Sequence, residues 1–174
     1  MEVLTVAQMK QVEKRAETEA GIPTLIMMEN AGRAIFAAIA TAASPAGKRI
    51  AVICGGGNNG GDGFVAARHL AAAGAAVTVW VAVPKEKLHG DAAVNYRILE
   101  HSPVPIRHIF KEADLDKLAH SLQSADFAID CLLGTGIARK VEGIYRGIIN
   151  ALNGFDGRVV AADIPSGINA DSGE

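Results

Sequence analysis

The sequence predicts an α/β fold with a mostly parallel sheet covered by helices on both faces. Three observations carry this. Five short runs rich in Val, Ile and Ala recur along the chain, with stretches of helical spacing between them. The runs are apolar at consecutive rather than alternate positions, as strands buried on both faces are. The length, 174 residues, suits one domain built on a single core.

Two helices come first. Thr5 to Gly21 reads as a helix opened by a Thr5–Gln8 capping box and closed by Gly21 in the left-handed region. Pro23 suits the first turn of a second helix, TLIMMENAGRAIFAAIATAA, which Ser44-Pro45-Ala46-Gly47 breaks. Strands and helices then alternate. RIAVIC (49–54) is a strand, followed by a glycine loop and a helix from about Asp62 to Ala73 that Gly74 closes. VTVWVAV (77–83) is the second strand. A helix over Asp91–His101 leads to strand Val104–Ile109, and one over Asp114–Leu122 leads to strand DFAIDCLL (126–133). A last helix near Gly143–Leu152 precedes strand Arg158–Ala162. No internal repeat or low-complexity tract is visible. The chain stops at Asp171-Ser172-Gly173-Glu174, past a strand and a loop. It therefore reads as one domain, residues 1–174, truncated at its C-terminus, and a longer native protein is expected.

Composition narrows the function. With 49% apolar and 21% charged residues the chain is expected to fold. Nineteen acidic residues against seventeen basic ones leave a net charge of -2, which lacks the basic excess of a nucleic-acid module. Aromatics at 5% argue against stacking platforms for single strands. The start, MEVLTVAQ, has no basic segment followed by an apolar one, and Ala34 to Ala43 has no Leu cluster to span a bilayer. Cys54 and Cys131 fall in strands with no CxxC and read as reduced thiols. A cytoplasmic domain without nucleic-acid or membrane partners is expected. The five histidines (His69, His89, His101, His108 and His120) form no metal-ligand pattern, and Trp80 reads as core.

In open parallel sheets ligands bind beyond the carboxyl ends of the strands. Three loops there are rich in Gly and polar residues. The first, Gly55-Gly56-Gly57-Asn58-Asn59-Gly60-Gly61-Asp62-Gly63, lies between a strand and a helix. Its glycines permit positive φ and bare backbone, and the helix N-terminus offers N–H groups to phosphate. Gly55, Gly57 and Gly60 satisfy GxGxxG, yet the second strand ends in Pro84-Lys85 without the acid that a dinucleotide fingerprint places there. No GxxxxGK[ST] occurs. A hydride-transferring dehydrogenase and a P-loop enzyme are therefore disfavoured. Asp62 also fits a plain N-cap.

The second loop follows Asp130, a carboxylate inside an apolar strand, where it requires a cation or donors. Gly134-Thr135-Gly136 offers backbone to an anion, and Arg139 and Lys140 add charge or belong to solvated surface. In the third, Asp163 ends a strand, and Pro165 and Gly167 fix a turn that presents Ser166. Asp163 and Ser166 also fit simple turn caps.

Taken together, GGGNNGGDG, DCLLGTGI and DIPSGINADSG resemble the NAD(P)H-hydrate epimerase family, of the YjeF N-terminal domain type. Met28-Glu29-Asn30-Ala31-Gly32 resembles it too, and the likeness runs in order from about Met9 to the end. The resemblance implies a three-layer α/β/α Rossmann-like domain and an isomerase of metabolite repair that interconverts the R and S epimers of hydrated NADH or NADPH. It implies that Asn58, Asn59, Gly60, Gly61 and Asp62 bind the dinucleotide. Gly134, Thr135, Gly136, Ile137, Ala138, Arg139 and Lys140, with Tyr145 and Asp163, complete that set. It implies one potassium ion per subunit, on Asn59, Asp130 and Ser166, whose oxygens are hard ligands for a hard cation. Asp163, a carboxylate at a strand end among phosphate-binding loops, is then the expected general acid/base. The resemblance also suggests a homodimer and a dehydratase that is fused or works alongside. Family members normally continue past DIPSGINADSG with a further strand and helix. A non-catalytic nucleotide-binding or protein-interaction module on the same fold, or a generic phosphate binder, differs from this reading in lacking turnover or a potassium response.

Overall fold

The computed structural model describes residues 4–136 and 140–174. Its strands are β1 (Arg49–Cys54), β2 (Ala76–Val81), β3 (Ile106–His108), β4 (Phe127–Cys131) and β5 (Arg158–Ala161). All pair in parallel, in the order β3-β2-β1-β4-β5. The helices are α1 (Val6–Thr18), α2 (Thr24–Ala42), α3 (Asn58–Ala72), α4 (Gly90–Glu100), α5 (Glu112–Gln123) and α6 (Gly143–Asn153).

The three central strands, β1, β2 and β4, each feed two cores, which explains their unbroken apolar character. Ile50, Val52 and Cys54 of β1 turn toward the cluster with Ile35, Ile39, Phe64, Leu70 and Leu99 of α2, α3 and α4. Ala51 and Ile53 turn the other way, toward Leu118, Leu122, Ile148 and Leu152 of α5 and α6. The result is three layers, with the sheet in the middle. The chain runs outward from β1 to β3, then returns to β4 on the other side. Between β1 and β4 the direction of winding reverses, and such a switch point leaves a crevice at the strand tips.

The expected elements are all present, with shifted ends. Thr5 and Gln8 form the capping box at the start of α1. Gly21, Gly47 and Gly74 adopt positive φ, as helix ends and turns require. The strand expected over Val104–Ile109 shrinks to three residues, since Pro103 and Pro105 have no N–H to give a ladder. The second strand ends at Val81, and a short 3₁₀ turn, Lys85–Lys87, leads out of it. The helix expected from Asp62 begins four residues earlier, at Asn58, after the extended Gly57. Asp62 is therefore inside α3 and does not cap it.

By length and composition α2 is apolar enough to cross a membrane. In the fold its Met28, Gly32, Ile35 and Ile39 are buried. Helix α1 buries none of its residues. Its first N–H, on Val6, is held by Asp171 Oδ1 at 2.9 Å.

Candidate functional site

The tips of β1 and β4 are bound together. Cys54 and Cys131 are in register, and Gly55 N–H donates to Cys131 C=O at 3.0 Å. A Cβ on Gly55 would run into Leu132 O, and one on Gly60 into Gly55 O. No glycine from 55 to 63 has positive φ. These positions exclude side chains because backbones meet there, and the left-handed freedom expected from the sequence is not used. The close approach leaves the first turn of α3, with its free N–H groups, opening on the crevice.

Asp130 is 4% exposed and Ser166 7%. Both of its carboxylate oxygens accept hydrogen bonds. Ser166 Oγ donates to Oδ1 at 2.6 Å, Ser166 N–H to Oδ2 at 2.8 Å, and Leu132 N–H to Oδ1 at 3.1 Å. Ser166 Oγ in turn accepts from Leu133 N–H at 2.9 Å. Asn59 Nδ2 donates to Leu133 C=O at 3.0 Å. A single hydrogen-bonded chain thus links Asn59, Leu133, Ser166 and Asp130 across the tips of β1 and β4 and the loop after β5. One atom in it has no partner among the described residues: Asn59 Oδ1 is buried and accepts nothing from them. Buried carbonyl oxygens are normally satisfied, so this one points to a missing electropositive partner.

Beside this chain opens a cleft of about 900 Å³ whose walls include Asn58, Asn59, Asp62, Gly134, Tyr145 and Asp163. Thr135 and Gly136 also face it. Gly60 and Gly61 are buried in the first turn of α3. Lys140 is exposed and is not part of the cleft wall. Ile137, Ala138 and Arg139 lie outside the described residues. A smaller cavity of about 410 Å³, bordered by Arg49, Ala76 and Pro105, opens at the opposite, amino-terminal ends of the strands.

Two carboxyls in the cleft hold their protons unusually well. Burial pushes Asp62 up to about 7, and the negative charges of Asp163 and Glu13 add to it. Asp163 is also raised by desolvation, which the Thr135 N–H donated to it partly offsets. It sits over Gly134, where a Cβ would come within 2.7 Å of its Oδ2. Asp62 can thus give and take a proton near neutral pH, and Asp163 holds its proton more tightly than an ordinary aspartate. Burial likewise raises Tyr145, and it keeps Cys54 and Cys131 as thiols.

Sequence reasoning left some of this unassigned. The segment Met28–Gly32 proves to be the support of α3. Glu29 Oε2 takes Arg68 Nη2 at 2.7 Å, and Oε1 lies 2.7 Å from His69 Nε2. Burial favours the neutral acid at Glu29, but the hydrogen bonds from His69 and Arg68 outweigh it and hold the carboxyl below its ordinary range. A Cβ on Gly61 would meet Met28 Sδ at 2.5 Å, and one on Gly32 would come within 2.8 Å of Asp62 O. The cleft wall also includes Met9, Lys10 and Glu13 of α1, and Lys87 and Asp91 beyond β2. No local pattern marks these, because their contribution depends on how α1 lies across the strand tips.

Residues 24–174 match the family described as YjeF-related protein N-terminus. The chain is 37% identical over its whole length to a bifunctional NAD(P)H-hydrate repair enzyme Nnr of Thermofilum pendens, of which it spans 33%. It is 38% identical to an NAD(P)H-hydrate epimerase of Pirellula staleyi, with 93% of this chain and 70% of that protein aligned. The chain thus spans about a third of the bifunctional relatives and over two thirds of that epimerase. The crystal structure of yeast ynu0, YNL200c, superposes with a TM-score of 0.86 at 23% identity, over 99% of this chain and 74% of that one. That likeness is one of fold.

Proposed function

The chain belongs to the family of YjeF-related protein N-termini, and from that premise we propose that it is an NAD(P)H-hydrate epimerase, interconverting the R and S forms of hydrated NADH and NADPH. The single observation that supports this most is the hydrogen-bonded linkage of Asn59, Asp130 and Ser166 next to Asp163, at the switch point of the sheet. Relatives that align over most of their length carry the name of that activity.

In this reading the pyrophosphate lies at the first turn of α3, where Asn58 and the free N–H groups receive it. Gly134, Thr135 and Gly136 close over the sugars, and Tyr145 supports the altered ring. Asp163 gives its proton to the ring hydroxyl, the C–O bond breaks, and water departs. The electron pair of the ring nitrogen fills the vacated orbital, which makes an iminium. A water then adds to the other face, and its surplus proton returns to the Asp163 carboxylate. Charge and atoms balance over the cycle. Such proton transfer contributes roughly 10²- to 10⁴-fold.

The donor set also fits one potassium ion. The buried Asn59 Oδ1 lacks a partner among the described residues, and Asp130 and Ser166 supply further oxygen of the hard type such a cation takes. When bound, the ion would supply fixed positive charge beside the phosphates. Asn59, Asp130 and Ser166 would hold it, with no proton passing through them. An NAD(P)H-hydrate dehydratase, fused to the chain or working with it, a homodimeric state and a cytoplasmic location complete the proposal.

The test is to incubate the 174-residue chain with pure R hydrate in potassium buffer and follow the S form by chromatography. Conversion is expected. Saturable binding without conversion would leave a nucleotide-binding module instead.

A further inference from the structure

The cleft has a direction. Along the sheet the order β5, β4, β1, β2 places Asp163 at one end, Gly134 next, Asn58 and Asn59 in the middle, and Val83, Lys87 and Asp91 at the other end. With the reacting ring at Asp163 and the pyrophosphate at the start of α3, the adenosine half must lie over the tip of β2. There the floor is continuous, since a Cβ on Gly56 would sit 3.2 Å from both methyls of Val83. In dinucleotide-binding sheets this tip decides how the adenosine ribose is read. An acid takes a free 2′-hydroxyl, and a cation takes a 2′-phosphate.

Here β2 leads into Ala82-Val83-Pro84, with no acid. Two lysines follow on the 3₁₀ turn Lys85–Lys87, and they differ. Lys85 is spent on Glu100, with Nζ 2.6 Å from Oε1. Lys87 is part of the cleft wall, is exposed, and has no ion-pair partner among the described residues. Asp91, in the first turn of α4, is in the wall at the same end. Alone it would accept a 2′-hydroxyl and repel a 2′-phosphate.

We propose that Lys87 is the specificity-determining residue that admits the 2′-phosphate, so that the cleft takes the phosphorylated dinucleotide as well as the plain one. This rests on the epimerase reading for the orientation of the substrate. It does not need turnover for its test.

Titration calorimetry would use ADP-ribose and its 2′-phosphate as probes, against the parent chain and the Lys87→Ala and Lys85→Ala variants. Lys87→Ala is expected to weaken the 2′-phosphorylated probe about tenfold and to leave ADP-ribose unchanged. Lys85→Ala is expected to alter neither. Equal loss of both probes, no change in either, or no binding of either probe by the parent chain would overturn the proposal. Binding that follows the expected pattern in a chain that fails to epimerise would keep Lys87 in this role and remove the epimerase reading alone.

Discussion

Ser166 closes on Asp130 from both of its donors, with Oγ 2.6 Å from Oδ1 and the backbone N–H 2.8 Å from Oδ2, across 36 positions of sequence. A carboxylate in the middle of an apolar sheet is tolerable only because each oxygen is engaged in this way. Replacing Asp130 by Asn turns one acceptor into an NH₂ that faces other donors. At least one buried N–H or hydroxyl then loses its partner, and the expected loss of stability is roughly 1–3 kcal/mol. Urea denaturation of the Asp130→Asn variant checks this, and an unchanged midpoint would mean that the loop after β5 is not held by the pair.

Asn59 offers a different measurement. Its Nδ2 is anchored on Leu133 C=O while Oδ1 has no partner among the described residues. A cation that fills this position stabilises the folded state by mass action, by about 2.7 kcal/mol at a hundred times its Kd. Potassium is therefore expected to raise the Tm of the parent chain more than sodium does. Asn59→Leu, which keeps the volume and removes the oxygen, is expected to lose the difference. Equal effects of the two salts on the parent chain would argue against a potassium site.

How far the sequence reached can be seen at particular residues. The strands were legible because Ile50 and Ala51 pack into opposite cores and so leave no polar alternation. The trio Asn59, Asp130 and Ser166 was legible only through resemblance, since spacing says nothing about residues that meet across strand tips. The start of α3 is hidden in the sequence because Asn58-Asn59-Gly60-Gly61 has poor helix propensity. Tertiary contact overrides it there: Gly60 and Gly61 are needed where Gly55 O and Met28 Sδ come too near for a side chain. Lys87 and Met9 carried no signal, because long-range packing alone brings them to the cleft.

Asp62 gives a pH dependence with a definite sign. Its folded value is raised to about 7 from an ordinary 3.8. Between those two values the unfolded chain has released this proton and the folded chain still holds it. Rising pH therefore favours unfolding across that window, and the penalty is fully present above about 7. Asp62→Asn removes the group that titrates. In potassium-free buffer its stability relative to the parent is expected to be greater at pH 8 than at pH 4. Denaturant midpoints at the two values decide it, and a gap that is constant or larger at pH 4 would show that Asp62 carries no such shift.

Asp163 and Asp62 are coupled, and that coupling separates a chemical role for Asp163 from a structural one. Burial raises Asp163, so its charge is a burden on the fold and its replacement by Asn is expected to leave the Tm level or higher. An Asn at this position retains an oxygen for Thr135 N–H. Epimerisation is nevertheless expected to fall by roughly 10²-fold or more, since the amide cannot carry the proton. The same change removes one of the negative charges that raise Asp62. The Asp62 carboxyl, followed by carbon NMR, is then expected to titrate below about 7 in Asp163→Asn. A variant that turns over normally would sink the acid/base role. Lost activity together with an unmoved Asp62 titration would show that the two carboxyls do not share the cleft electrostatically as the structure places them.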